Sequence, residues 1–139
     1  MGRVLVAYDG SDEARRAVER AAEVARTGGH GVGVISVAPV TASARGGAVD
    51  ATSPPEEHRR MLDEARGLLE AQGINAELIE AVGHPAESIV TAAEEGDYDL
   101  VVVGSRGLSG VRRMLMGSVS SYVVTHAHTD VLVVRPRAR

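Results

Sequence analysis

What most constrains the fold is a set of short, almost unbroken apolar runs separated by segments of helical period. Val4-Leu5-Val6-Ala7-Tyr8, Leu100-Val101-Val102-Val103 and Val131-Leu132-Val133-Val134 show no polar alternation. A strand made from any of them has two faces to bury, which is the condition of a parallel sheet covered on both sides. Between the first two runs, Ala14, Ala17, Val18, Ala21, Ala22 and Ala25 recur at helical spacing, with Arg16, Arg20 and Glu23 opposite. Ser11 or Asp12 is placed to cap that helix and Gly28 to end it.

The alternation continues to the end of the chain. A second strand is expected over 32–38. Ser53-Pro54-Pro55-Glu56 reads as a capping box with proline in the first helical positions. The helix it opens buries Met61, Leu62, Ala65, Leu68 and Leu69 and stops at Gly73. A third strand covers about 75–82, and a third helix runs from Pro85 to Gly96, burying Ile89, Val90 and Ala93. The fourth strand leads through a glycine- and arginine-rich stretch into a helix with Val119, Val123 and Val124, and the fifth strand follows. Five β units with intervening helices make an α/β fold: an open parallel sheet, Rossmann-like, with right-handed crossovers and helices on both faces. A length of 139 residues predicts a single domain spanning 1–139. The stretch 39–55, rich in Ala, Ser, Thr, Gly and Pro, has no periodicity and is expected to be a mobile loop.

Composition removes several function classes. The chain has no cysteine, which excludes disulfides, thiolate metal sites and cysteine nucleophiles. All 15 basic residues are arginine, so Walker-A binding and lysine chemistry are excluded. A net charge of −4, no Phe or Trp and only 3 Tyr argue against nucleic-acid binding, which draws on basic fields and stacking platforms. No apolar run approaches the roughly 20 residues of a membrane span, and Asp9 interrupts the start before a signal peptide could form. The expected location is cytoplasmic.

Ligands of open parallel sheets bind past the strand carboxyl ends, where the chain order reverses. Two polar segments leave such ends: Asp9-Gly10-Ser11 after the first strand and Gly104-Ser105-Arg106-Gly107 after the fourth, the latter closing at Gly117-Ser118. The spacing is G-x2-G-x9-G-S. Gly104 and Gly107 let backbone N–H groups approach an anion closely. Gly117 and Ser118 open a helix whose first N–H groups are unpaired and whose dipole is positive there. Two anion-binding features thus converge from the ends of one loop, and a polyphosphate is the natural ligand.

These segments, together with Gly83-His84-Pro85-Ala86-Glu87-Ser88-Ile89 and Asp97-Tyr98-Asp99 before the fourth strand, give a chain that resembles the universal stress protein family in its ATP-binding branch over essentially its whole length. The resemblance implies a sheet order of 3-2-1-4-5. It also implies that Asp9 binds the ribose hydroxyls, that Ala7 and Tyr8 lie near the base and that Val37 contacts adenine through its backbone. Val103 and Gly104 border sugar and phosphates. Gly107, Gly117, Ser118, Val119 and Ser120 hold the phosphates, with Ser105 and Arg106 lining the loop. The implied cofactor is ATP with Mg2+, the ion held through the phosphates and by Ser118 rather than by dedicated side chains. The implied partner is a second copy of the chain, paired through Val131, Leu132, Val133 and Val134, an apolar edge that needs covering.

Plainer roles exist for the same residues. Asp9 can help to cap the first helix, Ser118 can be only an N-cap, and Arg106, Arg112 and Arg113 can solvate a loop. Phosphoryl transfer needs charge stabilisation and an oriented nucleophile. Neither lysine nor a second carboxylate beside Asp9 is present to supply them. The sequence therefore points to a nucleotide-dependent regulator or stress-response switch with slow or no hydrolysis and a further protein partner. The alternatives are a sensor of AMP or cyclic AMP, and a slow ATPase.

Overall fold

The computed structural model describes residues 2–42, 49–51, 55–105 and 117–136. Along the chain run β1 (Arg3–Ala7), α1 (Asp12–Gly28), β2 (Gly31–Ala42), β3 (Val49–Ala51), α2 (Pro55–Glu70), β4 (Glu77–Gly83), α3 (Pro85–Glu95), β5 (Leu100–Gly104), α4 (Ser118–His126) and β6 (Asp130–Val134). Five strands are parallel, in the order β4-β2-β1-β5-β6. That is the 3-2-1-4-5 order of an α/β doubly wound sheet.

The unbroken apolar runs are explained by the two layers they separate. Val4 and Val6 face one way, with Val32, Val34 and Val102, against the alanine stripe of α1 and Leu62, Ala65 and Leu69 of α2. Leu5, Ile35, Val37, Val101 and Val103 face the other way, against Ile89 and Ala93 of α3 and Val123 of α4. Successive residues of a strand point to opposite faces, so β1 and β5 have no side left for water. The small side chains of α1 let that helix sit close over the sheet.

The structure differs from the sequence expectation between β2 and α2. The second strand does not end at residue 38. It continues to Ala42, and Val40, Thr41 and Ala42 pair antiparallel with Ala51, Asp50 and Val49 of β3. The β-branched pair Val40-Thr41 favours extended backbone, so a hairpin occupies part of the stretch read as a loop. Ser53 and Pro54 of the capping pattern lie outside the described residues, and the helix begins at Pro55. No helix among the described residues is long and apolar enough to cross a membrane.

Candidate functional site

The chain order reverses between β1 and β5: α1 carries the chain from β1 towards β2, whereas α4 carries it from β5 to the other edge. A cavity of about 110 Å³ opens at the carboxyl ends of β1, β2 and β5, where such sheets bind ligands. One water needs roughly 10–15 Å³, so the space suits a heterocycle.

The turn after β1 is built locally. Gly10 takes φ 82°, a left-handed conformation that favours glycine. Asp9 Oδ1 accepts a hydrogen bond from the Ser11 amide at 2.9 Å, and Ser11 Oγ accepts from the Ala14 amide at 3.1 Å. Ser11 is therefore the N-cap of α1, and Asp9 shapes the approach to it. The other oxygen of Asp9 has no hydrogen-bond partner among the described residues and the residue lines the cavity.

Tyr8 is buried, with its ring on the cavity wall. Its hydroxyl donates to Glu64 of α2, and Arg15 Nε reaches the same carboxylate oxygen at 3.2 Å. Burial, then the hydrogen bond and charge of Glu64, push the Tyr8 hydroxyl well above the usual phenol range. The Tyr8 hydroxyl in turn holds Glu64 below its ordinary value, with Arg15 assisting.

The far side of the site is made of backbone. A Cβ on Gly104 would lie 2.9 Å from Glu13 Cβ and 3.4 Å from its carbonyl carbon, so the glycine is required by the close approach of α1. The Ser105 amide donates to the Val134 carbonyl at 2.8 Å. The Ser105 carbonyl accepts from the Gly117 amide and from Ser120 Oγ, the latter at 2.7 Å. These bonds pin together the two ends of the stretch 106–116. Gly117 is the N-cap of α4, with no side-chain cap, and Ser118, exposed, is its first residue.

Of the expected site residues, Ala7, Tyr8, Asp9, Val37, Val103, Gly104 and Val119 line the one cavity. Ser105, Gly117, Ser118 and Ser120 stand beside it at the β5–α4 joint. The hydroxyl of Ser120, 0% exposed, is spent on that joint. Arg106 and Gly107, with Arg112 and Arg113, lie outside the described residues. Among the described residues no group of three or more His, Cys, Asp or Glu is placed to hold a metal ion.

Sequence reasoning missed Ser36 of β2 and the α2 and α3 walls, including His58, Met61 and Ile89. His58 is 6% exposed, and its Nδ1 lies 3.0 Å from Ser36 Oγ. A signal existed: His58 falls in register with Met61, Leu62, Ala65 and Leu69 on the apolar stripe of α2.

The universal stress protein family matches residues 1–135. A universal stress protein of Bacillus subtilis, YxiE, is 34% identical over 96% of this chain and 98% of its own length. Among solved structures, a universal stress protein in complex with cAMP superposes with a TM-score of 0.74 at 30% identity, covering 98% of both chains. That of Archaeoglobus fulgidus in complex with dAMP superposes with a TM-score of 0.74 at 27% identity, covering 96% of this chain and 98% of that one.

Proposed function

Because the chain belongs to the universal stress protein family, we propose that it is an adenine-nucleotide-binding regulator whose ligand is an adenosine monophosphate, AMP or cyclic AMP. The observation that carries the reading is the cavity at the β1–β5 reversal, apolar on its walls with Asp9 at its mouth. The relatives solved with cAMP and with dAMP support the monophosphate form. In this reading the base enters between Val37, Met61 and Val103, and the Val37 backbone contacts adenine. The second oxygen of Asp9 takes a ribose hydroxyl. The first amides of α4, at Ser118 and Val119, face the phosphate. Gly117 and Ser120 act by holding that helix start against Ser105.

A second reading, ATP with Mg2+, is favoured by the G-x2-G-x9-G-S spacing, of which Gly104, Gly117 and Ser118 are among the described residues. Arg106 and Gly107 would then add to the phosphate loop. The chemistry in either case is binding, with slow or no turnover, since no lysine is available to a transferred phosphoryl group. Calorimetric titration with cyclic AMP, AMP, ADP and ATP, with and without Mg2+, separates the two. AMP or cyclic AMP binding at least as tightly as ATP supports the first reading. Affinity rising with each phosphate replaces it with the second, and a series in which nothing binds overturns both.

The dimer belongs to the same proposal. Among the described residues β6 pairs only with β5, and it carries half-buried Val131, Leu132 and Val133 at the sheet edge, a strand that a second copy can cover. Sedimentation equilibrium giving twice the 14.5 kDa chain mass supports it, and a monomer at micromolar concentration overturns it.

A further inference from the structure

We propose that His58 reads the base: its Nε2–H donates to a ring nitrogen of the purine held in the cavity, with Ser36 fixing which nitrogen of the imidazole carries the proton. The proposal rests on the adenine-nucleotide reading above. Both side chains are deeply buried, Ser36 at 2% and His58 at 6% exposure, and both line the cavity. Their mutual contact, 3.0 Å from Ser36 Oγ to His58 Nδ1, is the one hydrogen bond either side chain makes among the described residues. A serine hydroxyl brings a single proton, and Nδ1 is the acceptor within its reach. Of the two directions this contact allows, the one in which Ser36 donates leaves no hydroxyl proton unbonded among the described residues, and it is the one proposed: the imidazole then carries its hydrogen on Nε2.

That leaves a buried N–H with nothing to bond. His58 Nε2 has no partner among the described residues. Buried polar groups are nearly always satisfied, and His58 lines the cavity, so we take its unpaired Nε2 as the point a ligand atom would satisfy. Around it the wall is apolar, with Ile35, Val37, Met61 and Ile89. The complement is a flat ring with apolar faces and a bare acceptor nitrogen on its edge. A purine has three, at N1, N3 and N7. Adenine's exocyclic amine, a donor, is unsuited to this N–H. The geometry therefore places one ring nitrogen against His58.

The test is calorimetry on the full chain with AMP and ATP and with analogues in which carbon replaces N1, N3 or N7. The wild type is expected to bind one of the three substitutions about tenfold more weakly than the parent nucleotide, the usual consequence of leaving a buried donor unpaired. His58→Leu should bind the parent about tenfold more weakly and lose its preference over that analogue, and His58→Gln, which restores an N–H donor, should recover part of both. In 1H–15N spectra of the wild type, the His58 Nε2–H resonance should shift with AMP and stay in place with the discriminated analogue, a readout that does not depend on a variant folding. Equal wild-type affinity for parent and all three analogues, or a Nε2–H resonance indifferent to nucleotide, removes His58 and leaves the nucleotide reading standing. A wild type that binds no adenine nucleotide removes both.

Discussion

On the β1–β2 side of the cavity the site is made of side chains: Asp9 at the turn, Tyr8 held by Glu64, and the Ser36–His58 pair beneath. On the β5–α4 side it is made of main chain: Gly104 against α1, and the Ser105 carbonyl gathering Gly117 and Ser120. In the proposed reading the first side discriminates, because carboxylate, phenol and imidazole each impose a direction and a polarity on what they meet. In the same reading the second shapes the site and meets the phosphate without selecting base or sugar, because amides and carbonyls are the same in every residue and acquire specificity through where the chain is forced to go. Damage should therefore take different forms, appearing as lost selectivity on one side and as lost stability on the other.

The largest effect is expected on the main-chain side. Gly104→Ala puts a methyl 2.9 Å from Glu13 Cβ in the first turn of α1. The obstacle is helix backbone and its first carbon, which cannot swing aside, so α1 or β5 must move. Overpacking of this kind costs about 2 kcal/mol, read as a lower urea midpoint at unchanged slope. A midpoint that stays put while nucleotide affinity falls would assign Gly104 to the ligand instead of to the helix, and would erase the contrast between the two sides.

Asp9→Asn tests the other side at somewhat smaller cost. The amide oxygen can still accept from the Ser11 N–H, so the turn and the N-cap survive. What is lost is the charge and the second acceptor. AMP should bind about tenfold more weakly, about 1.4 kcal/mol, with little change in urea stability. A 2′,3′-dideoxy nucleotide should bind both forms alike. A variant that unfolds more readily but binds normally would mean that Asp9 serves only the turn.

The same contrast separates what is legible in the amino-acid sequence from what is not. β1 and β5 are legible because residues buried on both faces leave a run with no polar break, and the sheet order follows from the family resemblance. The glycines of the main-chain side are legible as a spacing, but the reason for Gly104 is not. Its spacing suggests an anion, and its nearest constraint is Glu13, ninety-one positions earlier in the chain. Tyr8 and Asp9 stand out because they directly follow a strand. Ser36 does not, and His58 shows only as a polar residue on the apolar stripe of α2, a signal that gains meaning once β2 and α2 are packed together. The β3 hairpin escapes notice because Val40-Thr41 is too short a pattern to outweigh the Gly, Ser and Pro around it.

Ser120→Ala removes a hydroxyl that is wholly buried and bonded to the Ser105 carbonyl at 2.7 Å. That carbonyl keeps the Gly117 amide, so no acceptor is orphaned, and the cost is about 1 kcal/mol of stability. Selectivity among nucleotides should not change. A variant of normal stability with altered base or sugar preference would place Ser120 among the discriminating side chains.

The smallest effect has the most distinctive shape. Burial first, and then the bond to Glu64, raise the pKa of the Tyr8 phenol above its ordinary 10.0, and the same bond lowers that of the carboxylate below its ordinary 4.5. A raised value in the folded state contributes stability that is fully present below pH 10 and is lost as pH rises beyond it. A lowered one contributes stability present above pH 4.5 and lost as pH falls. The Tyr8–Glu64 pair thus bears on both limits, and its contribution is flat between them. Glu64 is 46% exposed, so solvent screens the pair and Tyr8→Phe should cost only about 0.5 kcal/mol near neutrality. Above pH 10 the unfolded wild-type chain releases the Tyr8 proton while the folded chain keeps it. The wild type then loses its lead and falls below the variant, because phenylalanine has no proton to release. Tyr98, whose hydroxyl is also raised by burial, acts equally in both proteins and cancels from the difference. Urea unfolding at intervals from pH 4 to 11 measures that difference directly. A constant gap across the whole range would mean that the Tyr8 hydroxyl acts through packing alone.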